Sequence, residues 1–140
     1  MITSAYVRTM AQYNMWQNNG LRGALQALDA EALQADRQAF FGSIWKTANH
    51  LLWGDQSWLA RFTGEAGPGL SRQESVGLCE TVSDWDVARF RTDGRISQWA
   101  ERVSSVDLTG ALTWYSGAAG REVSKPLALC VMHFFNHQTH

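Results

Sequence analysis

The chain has no run of about 18 apolar residues, the length a membrane-spanning helix needs. Its first residues, Met1 to Arg8, lack the basic start and apolar stretch of a secretory signal. The expected location is therefore the cytoplasm, with no membrane partner. Charge of one sign is missing too: 12 Lys and Arg stand against 13 Asp and Glu, a formal net charge of -1. That leaves no basic footprint for a phosphate backbone, and no nucleic acid is expected as a partner. Only two cysteines occur, Cys79 and Cys130, both in apolar surroundings. They read as small buried thiols of a reducing compartment and not as a disulfide framework. No internal repeat or low-complexity tract is present, and no Ser-His-Asp arrangement, P-loop or dinucleotide fingerprint supplies a ready-made chemistry.

What is present is a globular composition, 45% hydrophobic and 18% charged over 140 residues, which predicts one domain spanning 1–140. Apolar residues recur at threes and fours, the helical period. Tyr6, Met10, Tyr13, Trp16, Leu21, Leu25 and Leu28 predict a first helix over 4–28. It continues through Gly20, although glycine costs about 1 kcal/mol against alanine inside a helix. Residues 29–42 are a connector with one short helical turn, anchored to the core by Phe40 and Phe41. Ser43 caps a second helix over 43–63, stopped by Gly64. Ser83, with Asp84 and Asp86 at the positive end of the dipole, opens a third helix to about residue 104 through Val87, Phe90, Ile96, Trp99 and Val103. Leu112–Tyr115 and Arg121–Val123 flank Ser-Gly-Ala-Ala-Gly as a small β-hairpin. Ser124 as cap and Pro126 in the first turn predict a fourth helix over 124–140. The fold class is all-α: a four-helix bundle with a core around Leu51, Leu52, Trp58, Phe62, Phe90 and Leu129. The segments between the second and third helices, and before the fourth, are longer than an up-and-down bundle needs, so crossover connections are expected.

Three of the four histidines fall in the last helix, at 133, 137 and 140, where i, i+4 and i+7 share one stripe. From Leu127 to Phe135 almost every position is apolar, so this helix should be buried on most sides. The fourth, His50, lies in the second helix on a stripe with Ser43, Thr47, Gly54, Ser57 and Arg61. Small residues on either side of a histidine leave room beside it, which is what a cleft requires. Asp55 falls inside the apolar face of the same helix, a conflict unless a partner meets it; it reads as a buried carboxylate that orients a neighbouring side chain. A lone histidine on a helix is more often a hydrogen-bonded structural group than a ligand. Two apolar helices that each present an imidazole shift that balance toward a shared divalent ion.

With N-H-L-L-W-G-D at 49–55 and H-F-F-N-H-Q-T-H at 133–140, the sequence resembles the DinB-like (DinB/YfiT) family. Y-N-M-W-Q-N-N at 13–19 and F-F-G-S-I at 40–44 fit the same pattern, and the resemblance covers essentially the whole chain. It implies a four-helix bundle, a histidine triad binding a divalent metal, zinc or nickel, and a homodimer. Carried over residue by residue, His50 matches the first ligand and His137 the second. The third ligand lies four residues after the second, one position beyond His140, so His140 is taken as its stand-in on the final turn. His133 matches a recurring position read as supporting, although with His137 it makes the one complete i, i+4 pair. Asp55 and Asn136 are the expected hydrogen-bond partners around the ligands.

A three-histidine site keeps a coordination position open for water or a thiol and lowers the pKa of what binds there. The expected function is a metal-dependent enzyme, such as a thiol (S-)transferase joining a small-molecule thiol to an electrophilic substrate. The alternative is a non-catalytic metal-binding stress-response protein. An open cleft, polar on one wall and apolar on the other, favours the enzyme; a closed site with four protein ligands favours the alternative. Seven tryptophans and little net charge point to an exposed apolar face and a homodimer through the first or second helix.

Overall fold

The computed structural model describes residues 1–139. Helix α1 (Ser4–Ala27) is capped by Thr3, whose side chain accepts the Tyr6 backbone N–H, and it passes Gly20 unbroken. The connector carries the short helix α2 (Ala30–Gln34), capped by Asp29. Helix α3 (Ile44–Thr63) starts at the Ser43 cap and ends where Gly64 turns left-handed, at φ 75°. Helix α4 (Val82–Arg102) is capped by Thr81, two residues before Ser83, with Asp84 in its first turn. Strands β1 (Ala111–Ser116) and β2 (Arg121–Pro126) pair antiparallel, Ala111 opposite Pro126 and Ser116 opposite Arg121. Helix α5 (Leu127–Thr139) follows β2 without a linker.

The start of α5 corrects the expected cap. Ser124 and Pro126 belong to β2, where the Ser124 hydroxyl accepts from Thr113 Oγ1 at 3.1 Å. Pairing with β1 supplies the ladder that an isolated Ser-Lys-Pro segment would have lacked. The helix begins only when the strand ends, its first N–H donating to the Gly110 carbonyl at 2.9 Å.

Helices α1 and α3 each pack against both α4 and α5. α1 and α3 therefore lie across one diagonal of the bundle, and α4 and α5 across the other. The crossovers are the α1–α3 connection, with α2, and the α4–α5 connection, with the hairpin. The loop between α3 and α4 joins neighbours. Its length serves another purpose: it folds back on α3 as a 3-10 turn, Glu74–Gly77.

Two apolar clusters stack along the same helices. One joins Val7, Ala11, Leu59, Ile96, Phe134 and Phe135; the other joins Leu25, Leu33, Trp45, Leu52 and Trp85. Between them along α1, α3 and α4 lie Asn14, Asp55, Arg89 and Asp93, all buried. Arg89 Nη2 donates to Asp55 Oδ2 at 2.5 Å and to Asp93 Oδ1 at 2.7 Å, and its Nε adds a 3.1 Å bond to Asp93. Asn18 Nδ2 reaches Asp93 at 3.0 Å, and Gln138 Nε2 reaches the other Asp55 oxygen at 2.6 Å. Ion pairing satisfies what burial alone would make prohibitive.

Several expected core residues lie elsewhere. Phe90 is 58% exposed, roofed by the Arg22 guanidinium 4.9 Å from its ring centroid. Arg22 is itself held by Asp86 at 2.7 Å, so this seam between α1 and α4 is an outer one. Leu129 is 57% exposed because α5 is not buried on most sides: Leu129, Met132, His133 and Asn136 form its outer face. Phe40 is exposed, and Phe41 rests on His50 instead of the core. Leu52 is fully buried; Leu51, Trp58 and Phe62 are half-buried. Cys130 is buried and Cys79 half-buried, both as free thiols. Among the described residues, no helix is long and apolar enough to cross a membrane.

Candidate functional site

Helix α3 presents His50 buried and, one turn on, Gly54. Helix α5 brings His137 against that glycine. A Cβ at position 54 would lie 2.9 Å from His137 Cε1 and 3.2 Å from its Nδ1, closer than a side chain tolerates. Glycine here is what lets the second imidazole approach. The two rings meet edge to face, centroids 5.4 Å apart. Phe41 lies against the His50 ring at 4.1 Å and Trp53 at 5.5 Å, so aromatic surface flanks it.

The folded-back loop fixes the state of His50. Ser75 Oγ lies 2.8 Å from His50 Nδ1 and donates its own hydrogen to the Arg72 carbonyl at 2.6 Å. A hydroxyl has one hydrogen, so toward His50 it accepts and the ring carries its proton on Nδ1. Nε2 then keeps its lone pair, the form an imidazole needs as a ligand. The His50 pKa is pushed down to about 4, first by burial and then by His137 and Arg72 nearby. The ring is neutral at neutral pH.

The loop is itself pinned. Ser71 and Glu74 exchange reciprocal capping bonds, backbone N–H to side chain at 3.0 and 3.3 Å. Asn49, adjacent to His50 and fully buried, accepts the Cys79 N–H at 3.0 Å, and the Trp53 indole donates to the Leu70 carbonyl at 2.9 Å. Ser75, Arg72 and Asn49 were not singled out in the sequence. The Ser71-Arg72-Gln73-Glu74 capping box was the available signal that this loop has structure.

The other sequence candidates fall as follows. His133 is exposed, its ring 6.0 Å from His137 and 5.4 Å from Trp58. Asp55 is sealed in the Arg89 layer and reaches α5 through Gln138, the neighbour of His137. Asn136 lies on the exposed face, its carbonyl accepting from Thr139 Oγ1 at 3.1 Å. His140 lies outside the described residues.

Two cavities meet at this pair. One, about 250 Å³, is lined by His50, Gly54, Ser57, Arg61, His133 and His137, among others. The second, about 490 Å³ and more apolar, lies toward Phe40, Phe41 and Leu51 and shares His50, Arg72 and His137. As donors, a neutral imidazole with its Nε2 lone pair kept and a second ring beside it fit two positions of a divalent-ion site. Among the described residues, no group of three His, Cys, Asp or Glu side chains is placed to hold an ion.

A comparison with curated proteins returns no match. The model of the DinB family matches residues 1–140, the whole length given, so the chain that places His50 and His137 together in this bundle belongs to the DinB family.

Proposed function

We propose that the protein is a divalent-metal-binding member of the DinB family, using zinc or nickel in a metal-dependent reaction, most closely a thiol (S-)transfer onto a small electrophile. The observation that carries this is the meeting of His50 and His137 over Gly54 at the edge of an open cleft. His50 and His137 would hold the ion, with His140 as the third ligand and His133, Asp55 and Asn136 in support. A divalent ion held there supplies Lewis acidity that lowers the pKa of a thiol beside it.

The chain's own residues do the rest. The Ser75 hydroxyl keeps the His50 proton on Nδ1, and Asn49 and Trp53 hold the loop that places that hydroxyl. Phe41 and Trp53 exclude water from the ring faces. The cleft has a polar wall from Ser57 to Arg61 and an apolar one at Phe40 and Phe41, the arrangement expected when a small molecule must enter. In the transfer the thiol loses its proton, a carbon–sulfur bond forms, and the electrophile's leaving group departs with the bonding pair.

Metal analysis of protein purified without an affinity tag tests this. One equivalent of zinc or nickel per chain is expected in the wild type and none in His50→Ala or His137→Ala, with helical content nearly unchanged. Equal metal retention by His50→Ala would place the ion elsewhere. Stoichiometric metal without transfer of any small thiol would point to a non-catalytic metal-binding role.

The same reading includes a cytoplasmic location, supported by the two free thiols, and a homodimer. The stacked Tyr13–Trp16 pair on α1, with Trp16 71% exposed, supports association through that helix. Light scattering should give about twice the 15.7 kDa chain mass.

A further inference from the structure

Several arginines in this bundle pair with a carboxylate. Arg22 pairs with Asp86, Arg89 with Asp55 and Asp93, and the more exposed Arg95 with Glu65. The two that line the cleft do not. Among the described residues, neither the Arg61 nor the Arg72 guanidinium donates a hydrogen bond or pairs with an acid, and no Asp or Glu lines either cavity.

Arg61 is nevertheless held in place. Its Cζ lies 4.5 Å from the Trp58 ring centroid and 5.1 Å from that of Trp114, which reaches over from β1. Contact with two indoles holds the guanidinium without supplying a hydrogen-bond acceptor, so its five N–H donors are left for a planar acceptor. Half-burial works against this charge, drawing the Arg61 pKa below its ordinary value. Arg72 stands at the junction of the two cavities, beside His50. With His50 neutral, the side chains lining the cleft include two guanidiniums and no carboxylate among the described residues.

We propose that Arg61 and Arg72 form an oxyanion-binding subsite, so that the small molecule entering this cleft carries a carboxylate or phosphate group. The proposal rests on the reading of the cleft as a substrate site and narrows its substrate class to anions. Residues 50, 54, 57 and 61 share one face of α3. At the helical rise, His50 and Arg61 start about 16 Å apart along it, and the arginine side chain reaches back into the gap. A neutral or cationic molecule of the same size would leave the half-buried Arg61 guanidinium without an acceptor.

The test is a titration of the purified full chain with 3-mercaptopropionate and with inorganic phosphate, and with 2-mercaptoethanol as the uncharged control. The indole N–H resonances of Trp53 and Trp58 report binding. Saturable binding of at least one anion, and none of the neutral thiol at the same concentration, is expected. Whichever anion binds tighter identifies the group. Arg61→Met, which keeps a long apolar stem between the tryptophans, should weaken anion binding about tenfold, and Arg61→Lys should restore part of the loss. Equal binding of the neutral thiol, no saturation by either anion, or unchanged affinity in both Arg61→Met and Arg72→Met would overturn the proposal. Zinc stoichiometry of the same samples separates the two readings. Anions failing while one zinc binds removes the subsite alone; zinc failing while anions bind through Arg61 removes the metal reading alone.

Discussion

Two places in this bundle bury polar side chains, and they are built in opposite ways. At Arg89 the partners are all protein: two carboxylates, each with one further bond, from Asn18 to Asp93 and from Gln138 to Asp55. Asp55, Arg89 and Asp93 are each 1–2% exposed. At His50 and His137 the rings border open volume, and the charges that line it, Arg61 and Arg72, pair with no acid among the described residues. The first arrangement answers each charge with an opposite charge from another protein side chain, although Asp93 Oδ2 and Asn14 Nδ2 are buried without a hydrogen bond among the described residues, so it serves the fold. The second sets two arginines beside open volume with no acid lining it among the described residues, which is what the proposed ligand site would use. Both use the same materials on the same helix, Asp55 and His50 standing five residues apart on α3.

If this contrast is right, the two places should fail differently. The largest effect belongs to the sealed layer. Arg89→Met leaves two buried carboxylates facing each other, and urea unfolding should show a loss of about 3–5 kcal/mol. A loss below about 1 kcal/mol would mean the layer is not closed. Next, Ser75→Ala removes the acceptor of the His50 Nδ1 proton and should weaken zinc binding roughly 10- to 100-fold while leaving the urea midpoint nearly in place. Equal zinc affinity would show that the loop does not set the ring.

A smaller effect separates the two by pH. The unfolded imidazole takes up a proton near 6.5, whereas folded His50 waits until about 4. Between those values the unfolded state binds more protons, so this residue's contribution to stability is present above about 6.5 and is lost as pH falls toward 4. Urea midpoints of chelated wild type and His50→Gln should therefore converge on acidification across that window. Parallel curves would show that His50 titrates normally. The smallest effect is on the outer seam: Phe90→Ala, at an exposed position under Arg22, should change stability by no more than about 1 kcal/mol.

The sequence made the open site more legible than the sealed one. The stripe of Ser43, Thr47, His50, Gly54, Ser57 and Arg61 reads as a cleft because its residues are small and polar where a bundle surface carries long charged chains. His50, Gly54, Ser57 and Arg61 do line it. Helix ends were equally readable where a cap or a left-handed glycine sets them, as at Ser43 and Gly64. The rotation of α4 was not. Val87 and Phe90 drew the apolar face to one side, but the buried side runs through Trp85, Arg89, Asp93, Ile96 and Trp99. Periodicity ranks residues by hydropathy one helix at a time, and Arg89 and Asp93 are tolerable inside only because Asp55 arrives from another helix. Ser75 was hidden for a related reason: it meets His50 across 25 residues of chain through a fold of the loop that no local pattern specifies.

Gly54 has a consequence for anyone seeking a sturdier version of this protein. Replacing a helical glycine by alanine raises helix stability by about 1 kcal/mol, and Gly20, Gly23 and Gly94 face open space where the methyl group meets nothing. At position 54 the same exchange puts a carbon 2.9 Å from His137, so the helix gains only if the imidazole gives way. A library selected for heat resistance alone would accept alanine freely at the first three positions. At the fourth it would reach a tougher helix by evicting one of the two rings.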